Sequence, residues 1–302
     1  MMEISKLAKE VQKKLGGKYT VTVKEVVKSN LRLKGLEIAG PDSEISPVIY
    51  PGEDDNPESV VKKFWDVMSN YVENKKAKRD VASIIACPEK VKAHCSIVLT
   101  GDQEYAEMRI YKKVADLYAV LCILIPGKDA EDGYKIDITP EHMDTYAKNG
   151  FTADDLWNAA FDNMRKGIKI QSLIKTNKSM DGYASEEPQN LYALQSVDIR
   201  SREIALIVNN AKAHNAEGQY GASTILLPEV QNWLLNYYGG PCIVLPSSIH
   251  EVIVTKYDSE DMSGLLENKM LVMTTNAGEV KDSDILSNNI YLLTHRGLAL
   301  IF

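Results

Sequence analysis

The spacing of apolar residues changes along the N-terminal part of the chain and assigns its elements. Apolar residues recur at helical intervals over 4–15, which predicts an amphipathic helix. They alternate with polar residues over 19–38, which predicts two strands, and the alternation changes phase at Gly35, which predicts a β-bulge. Asn56-Pro57 has the composition of a helix N-cap and first helical position, so a second helix is predicted from there.

The middle of the chain contains one uninterrupted apolar run, at 117–125. A strand that is apolar on both faces is covered on both faces, so this run is predicted at the centre of a sheet. Flanking segments at 107–113 and 134–138 are predicted to be strands as well. Thr152 and Asp155 have the spacing of a capping box, which predicts a helix to about residue 166.

From residue 191 onward, strand patterns and helix patterns follow each other again. A helix over 259–275 is predicted to bury Met262, Leu265, Leu266 and Met273. The remaining pattern predicts strands over 191–197, 203–208, 220–227, 242–246 and 249–255, a helix over 228–238, and a closing hairpin over 289–302.

These elements define a fold class and a division of the chain. Strands and helices are segregated rather than strictly alternating, which favours an α+β fold with mixed or antiparallel sheets over a doubly wound fold. A polar stretch over 175–190 separates two such groups of elements. The sequence therefore predicts two α+β subdomains, at 1–175 and 191–302.

Composition excludes several classes of protein. The hydrophobic fraction of 44% and the charged fraction of 25% are typical of folded globular chains. Forty-two acidic against 35 basic side chains give a formal net charge of -7, which offers no overall attraction to nucleic acid or to an anionic membrane. The longest apolar run has about half the length that a membrane-spanning helix needs. Neither nucleic acid nor a membrane is expected as a partner.

Cysteine, histidine and glycine spacings carry no cofactor signal. Four cysteines are too few to form a disulfide framework for a chain of 302 residues, so a reducing cytoplasm is predicted. Cys87 and Cys95 are too far apart for a zinc knuckle, and no metal site is predicted. The chain has neither the spaced glycines of a dinucleotide fingerprint nor the ending of a phosphate loop, so no cofactor is expected.

The run PSSIHE, residues 246–251, holds the strongest candidates for catalysis. Ser248, His250 and Glu251 are the residue types of an activated serine nucleophile. If a strand covers 249–255, His250 and Glu251 point to opposite faces, so Glu251 cannot orient the neighbouring imidazole. The alternative interpretation is a bend between two strands in which the serine hydroxyls satisfy backbone groups.

The run YGAS, which begins with Tyr220 and Gly221, is a candidate ligand site. A glycine at the start of a strand allows close approach of a ligand, and Ser248 and His250 would complete the pocket. The alternative is that Gly221 lets one strand enter beside a packed neighbour.

The C-terminal third resembles a known family. The segments IALIVNN, YGASTILLPEV, CIVLPSSIHEVIV and LSNNIYLL, within 204–293, resemble a domain-of-unknown-function family of anaerobic Gram-positive bacteria with YGA and LPSSIHE motifs. The resemblance implies an α+β fold, a bacterial protein of accessory or mobile genes, and no assigned catalytic residues. The chain departs from the family pattern in a longer connection over 209–219, and in Ser287-Asn288 where an acidic residue is usual.

Three classes of function remain open. The first is a non-enzymatic cytoplasmic binding or adaptor protein, with inhibition of a partner protein as a special case, because the chain has the core of a folded protein and no assembled catalytic set. The second is a sensor of a small ligand or nucleotide, with a pocket near Tyr220, Gly221, Ser248 and His250. The third is a serine-type hydrolase using Ser248 with His250, and Glu251 or a distant carboxylate. We expect the first class, with a protein partner.

Overall fold

The computed structural model describes residues 3–28, 31–40, 46–73, 81–125, 134–173, 190–193, 205–210 and 219–301. The chain divides into two compact units, Met1–Ile84 and Ile85–Phe302. Both contain helices together with antiparallel sheets, which confirms the α+β class.

The first unit packs two helices on a three-stranded antiparallel sheet of order β1-β2-β3. Its core is formed where one face of each helix meets the sheet, with Val11, Leu36, Val60 and Phe64 at most 1% exposed. The predicted helices and strands of this unit are confirmed. Its elements are α1 (Ile4–Leu15), β1 (Thr20–Lys28), β2 (Leu31–Ala39), β3 (Val48–Ile49) and α2 (Pro57–Glu73).

The bulge predicted at Gly35 is wrong. β1 and β2 pair residue for residue past this point, with Gly35 opposite Lys24. A Cβ added at Gly35 would lie 2.5 Å from Val48 Cγ1, so the glycine makes room for β3. The alternation changes phase because both faces of β2 carry apolar residues, with Leu36 buried on the core face and Leu33 half-buried on the other.

The second unit begins with a four-stranded antiparallel sheet. β6 is its centre, pairing with β4 on one edge and with β5 and then β7 on the other. All residues of β6 are buried, which confirms the prediction for the central apolar run. The strands are β4 (Cys95–Thr100), β5 (Tyr111–Val114), β6 (Leu117–Ile125) and β7 (Tyr134–Asp137).

A six-stranded antiparallel sheet follows, in the order β13-β12-β10-β11-β9-β8. The closing hairpin, β12 and β13, is confirmed. The strands are β8 (Ile168–Ser172), β9 (Ala205–Asn210), β10 (Cys242–Leu245), β11 (Val252–Lys256), β12 (Tyr291–Thr294) and β13 (Gly297–Leu300).

Helices of the second unit carry the end signals that the sequence predicts. Thr152 and Asp155 form the capping box, with Asp155 N donating to Thr152 Oγ1 at 3.2 Å. Gly239 ends α7 in the left-handed region, at φ 71°. The helices are α3 (Pro88–His94), α4 (Gln103–Glu107), α5 (Pro140–Ala147), α6 (Ala153–Arg165), α7 (Pro228–Tyr238) and α8 (Met262–Gly278).

Several predicted strands differ from the structure. The segments Leu191–Ala193 and Gly221–Leu226 are 3₁₀ helices, and residues 194–197 lie outside the described residues. The segment predicted over 107–113 becomes a strand only at Tyr111. The run at Gly221–Leu226 is buried over most of its length, and an apolar run that is buried all round looks alike as strand and as helix, so its spacing could not separate the two.

The predicted subdomains at 1–175 and 191–302 stay a prediction, whereas the two compact units divide between residues 84 and 85. The polar stretch over 175–190 falls inside the second unit, mostly outside the described residues. The strands on its two sides, β8 and β9, pair with each other and therefore belong to the same sheet. Polar composition marks a surface connection, but it does not separate a domain linker from a link between neighbouring strands.

Candidate functional site

The PSSIHE run forms a bend between β10 and β11. β11 begins only at Val252, so residues 249–251 are not the strand that the sequence predicted, and strand alternation does not set their directions. Ser248 Oγ accepts a hydrogen bond from His250 N at 3.0 Å, and Ser248 N donates to Glu251 O at 3.2 Å. The Ser248 hydroxyl therefore closes a local turn of backbone, as in the alternative interpretation.

The His250 imidazole is held at both nitrogens. Nδ1 accepts a hydrogen bond from Tyr220 N at 3.1 Å, and Nε2 lies 3.6 Å from Asp284 Oδ2. A backbone N–H only donates, so Nδ1 carries no proton, and in the neutral ring the proton is on Nε2, facing Asp284. Neither nitrogen is directed at Ser248, so His250 is not the base that would activate that serine as a nucleophile.

The YGAS run packs directly on this bend. Tyr220 adopts the left-handed region at φ 56°, and its ring centroid lies 5.6 Å from that of His250. A Cβ added at Gly221 would lie 2.5 Å from Asn210 N and 2.6 Å from His250 O. Protein backbone thus fills the space above the glycine. We call this contact of residues 220–222 with residues 248–250 the motif joint, because it joins the two runs.

Glu251 is bonded to a residue of a neighbouring strand rather than to the His250 imidazole. Burial raises the pKa of its carboxyl, and a hydrogen bond with Asn209 on β9 and the nearby His250 act against that rise. Glu251 therefore belongs to the contact between the bend and β9 and does not orient the imidazole.

A buried ion network that the sequence did not reveal lies beside the joint. Asp137 accepts hydrogen bonds from Arg109 Nε at 2.7 Å and from Lys135 Nζ at 2.6 Å. It also accepts from the Tyr105 hydroxyl at 2.6 Å, and Lys135 Nζ donates to that hydroxyl oxygen at 2.6 Å. The Lys135 ammonium lies 5.9 Å from the centre of the Tyr220 ring, so the network touches the motif joint.

The electrostatics of this network hold every member in one protonation state at neutral pH. Burial alone would lower the pKa of Lys135, but the interactions with Asp137, Tyr105 and Cys122 together outweigh burial and the pKa is raised. Burial alone would raise the pKa of Asp137, but Lys135, Tyr105 and Arg109 outweigh it and the pKa is lowered. Burial raises the pKa of the Tyr105 hydroxyl above its usual value. None of the three is poised to exchange a proton near pH 7.

The spacing of these residues gave a partial signal. Lys135 and Asp137 lie two positions apart on β7 and share a side of that strand, whereas Tyr105 lies on α4 and Arg109 lies two positions beyond the end of that helix. The meeting of the two pairs depends on how β7 pairs with β6, which the spacing does not contain.

The buried thiols Cys95 and Cys242 are unreactive at neutral pH, and the described residues group no metal ligands. All four cysteines are free, and burial raises the pKa of the Cys95 and Cys242 thiols to about 12, so both are protonated at neutral pH. In the part of the chain that the structure describes, no three Cys, His, Asp or Glu side chains are grouped so as to hold a metal ion. No described helix has the length and apolar character needed to cross a bilayer.

Helix α8 differs from its prediction. Of the four residues predicted to be buried, only Leu265 is, at 3% exposure. The other three, with Met270, form one exposed row along the helix, successive members being four, four and three positions apart. We call this row the methionine stripe. Its members are Met262, Leu266, Met270 and Met273, exposed by 56%, 53%, 65% and 49%.

The helix thus has two apolar faces. Leu265, Val272 and Asn276 face inward, and Leu265 and Val272 pack with Ile243 and Ile290 of the six-stranded sheet region. The stripe lies beside this inward face, and its side chains are exposed rather than packed in the core. A single wide apolar band in the sequence was read as one buried face, whereas a helix lying on one sheet covers only part of such a band.

One family model matches nearly the whole chain. A model of a family of unknown function, DUF5688, matches residues 4–294, so the chain belongs to that family. The match extends well beyond the C-terminal third from which the resemblance was read. Comparison with the curated proteins and with the solved structures gave no match.

Proposed function

We propose that this chain is a non-enzymatic binding protein of the cytoplasm that docks a partner protein on the methionine stripe of α8. The observation that carries the proposal is the continuous exposure of Met262, Leu266, Met270 and Met273 along one side of the helix. Contiguous exposed apolar patches mark interaction surfaces more often than isolated apolar residues do. Methionine adapts its shape to the surface that it meets, which suits a docking helix.

The size of the available gain supports a specific complex. Fully burying a side chain such as Met or Leu contributes about 1.5–3 kcal/mol, so each half-exposed stripe residue has about 1 kcal/mol left to gain. Four such residues together could contribute about 4 kcal/mol, which is close to a thousandfold in affinity.

The other classes of function have less support. The His250 imidazole is not directed at Ser248, Lys135 and Asp137 are each held in one protonation state, and protein backbone occupies the space above Gly221. The free, buried thiols support the cytoplasmic location.

The proposal is tested by comparing two sets of exposed side chains. The immobilised wild type, the stripe variant Leu266→Gln/Met270→Gln and the control variant Met108→Gln are each exposed to lysate of the source cells. Met108 is 50% exposed and lies outside α8, so the control removes a comparable apolar side chain. Proteins retained by the wild type and by the control but lost from the stripe variant are purified, and the complex is rebuilt from pure components.

The expected result is a stoichiometric complex that the stripe variant weakens by about 30-fold, since two residues carry about 2 kcal/mol. An identical set of retained proteins for all three baits would contradict the proposal. So would a rebuilt complex whose affinity the stripe variant leaves unchanged.

A further inference from the structure

The surroundings of the methionine stripe are acidic. Carboxylates precede the helix, lie on it and follow it, and all of them are exposed. Two act locally as hydrogen-bond acceptors, Asp258 for Glu260 N and Asp261 for Gly264 N. We call these residues the acidic rim. Its members are Asp258, Glu260, Asp261, Glu267, Glu279 and Asp282.

The rim is not neutralised by nearby bases. Within residues 256–282 its six carboxylates face only three basic residues, Lys256, Lys269 and Lys281. Lys269 Nζ is already bonded to Asn289 Oδ1 at 2.8 Å. Among the described residues, no rim carboxylate forms an ion pair, so their negative charge is available to a partner.

We infer that the segment docked on the stripe is a basic amphipathic helix of the partner protein, an inference that rests on the proposed function. An apolar row on a helix is complementary to the apolar face of another helix with residues at matching intervals. Flanking Lys and Arg of such a helix would meet the acidic rim, and this complementarity selects the partner and its orientation.

The acidic rim disfavours two other partners of an exposed apolar row, an anionic lipid surface and a second copy of this chain. An anionic lipid surface would be repelled by the rim. A second copy of this chain would bring two acidic rims together, and like charges set against each other across an interface weaken it.

The dimensions set the length of the docked segment. Met262 and Met273 are eleven positions apart, which is about 16 Å along a helix, or three turns. A partner helix of three to five turns therefore covers the stripe and reaches the rim at both ends.

Two peptides of about 18 residues, or five turns, provide the direct probe. Both carry the same Leu face at intervals of three and four residues. One carries Lys and Arg at the surrounding positions, and the other carries Glu at the same positions. Binding of each labelled peptide to the full chain is measured by fluorescence anisotropy over a range of salt concentrations. We expect the basic peptide to bind, the acidic peptide to bind at least a hundredfold more weakly, and salt to weaken the basic complex.

Three variants separate the contributions of stripe and rim. The stripe variant Leu266→Gln/Met270→Gln should weaken the basic peptide at least tenfold. The rim variant Glu260→Gln/Glu267→Gln should weaken it about fivefold. The control Glu89→Gln/Asp144→Asn removes the same charge from exposed positions outside α8 and should leave binding unchanged.

The outcomes distinguish this inference from the proposed function. If both peptides bind equally and the stripe variant weakens both, the basic partner is refuted while docking on the stripe stands. If the basic peptide binds the stripe variant as well as the wild type, both ideas are refuted. A wild-type dimer that becomes monomeric in the stripe variant, seen by light scattering, would also overturn the inference, because a second copy would then occupy the stripe.

Discussion

The motif joint and the methionine stripe are opposite in how they use their side chains. At the joint, the imidazole of His250, the hydroxyl of Ser248 and the backbone of Tyr220 are all bonded to one another or to neighbouring protein groups. Along the stripe, four large apolar side chains contact solvent although the helix has a second face in the core. The joint is complete by itself, whereas the stripe gains free energy only when something covers it.

This difference separates residues whose types suggest catalysis from residues whose exposed side chains are accessible to a partner. The residue types at the joint are those of catalysis, and their geometry makes them structural. The residue types of the stripe are those of a core, and their exposure makes them candidates for binding. Availability in the fold, rather than residue type, therefore carries the functional assignment.

The largest expected effect concerns the ion network beside the joint. Asp137→Asn removes the only carboxylate among the four residues of the network and leaves Lys135 and Arg109 without it. Because breaking one side of a buried ion pair leaves an uncompensated charge, we expect a loss of about 3–4 kcal/mol in the free energy of unfolding. Urea unfolding at neutral pH measures it. Asp144→Asn, at an exposed acid, is the control and should change the value by less than about 0.5 kcal/mol.

The same variant makes a prediction about pH. The pKa of Asp137 is lowered in the folded chain, so the stability that its ionised form contributes is present above the unfolded value of about 4 and is lost as pH falls through the lowered value. Below about pH 4 the wild type should therefore lose its advantage over Asp137→Asn. An advantage that stays constant into the acid range would contradict the lowered pKa.

A similar loss is expected from closing the space at the joint. In Gly221→Ala the added Cβ would lie within 2.6 Å of Asn210 N and of His250 O, and both are backbone atoms. We expect a loss of about 3 kcal/mol, the upper part of the usual range for overpacking. The control is Gly240→Ala, where the added Cβ meets no heavy atom within 4 Å. If a ligand rather than backbone occupied the space, Gly221→Ala would reduce binding of that ligand without loss of stability.

A smaller effect distinguishes a structural serine from a nucleophile. Ser248→Ala removes the acceptor of the His250 N–H and should cost about 1 kcal/mol, the usual contribution of one hydrogen bond. Ser247→Ala is the neighbouring control. Treatment of the wild type with an activated phosphonate should leave Ser248 unlabelled by mass spectrometry. An adduct on Ser248 would restore the hydrolase as a candidate.

The smallest expected effect on stability is at the stripe. Leu266→Gln and Met270→Gln replace side chains that are more than half exposed, so each should change the free energy of unfolding by no more than about 0.5 kcal/mol. Denaturant unfolding of each variant tests this. A loss of 2 kcal/mol or more at either position would mean that the stripe is part of the core, and would remove the contrast with the joint.

Local signals in the sequence predicted local structure well. The helix ends at Gly239 and at Thr152, the central strand at 117–125 and the closing hairpin all follow from spacing and end residues that act within a few positions. The α+β class followed from the same kind of spacing, and the family followed from the resemblance of four segments in the C-terminal third.

Features that depend on long-range packing were missed. The 3₁₀ helix at Gly221–Leu226 is buried over most of its length, so its apolar run carries no period. The ion network requires β7 to pair with β6 before Asp137 meets Tyr105. The exposure of Met270 depends on how much of α8 the sheet covers, and no periodicity in the helix records that extent.

The central claim is that the methionine stripe is the surface on which a partner docks. It is tested most directly by a photo-crosslinking residue, p-benzoylphenylalanine, placed at Met270 in one variant and at Met108 in another, both expressed in the source cells. The account predicts one discrete cross-linked protein from position 270 and none from position 108, since both positions are exposed and only one lies on the stripe. No discrete product from position 270, or the same product from both positions, would contradict it.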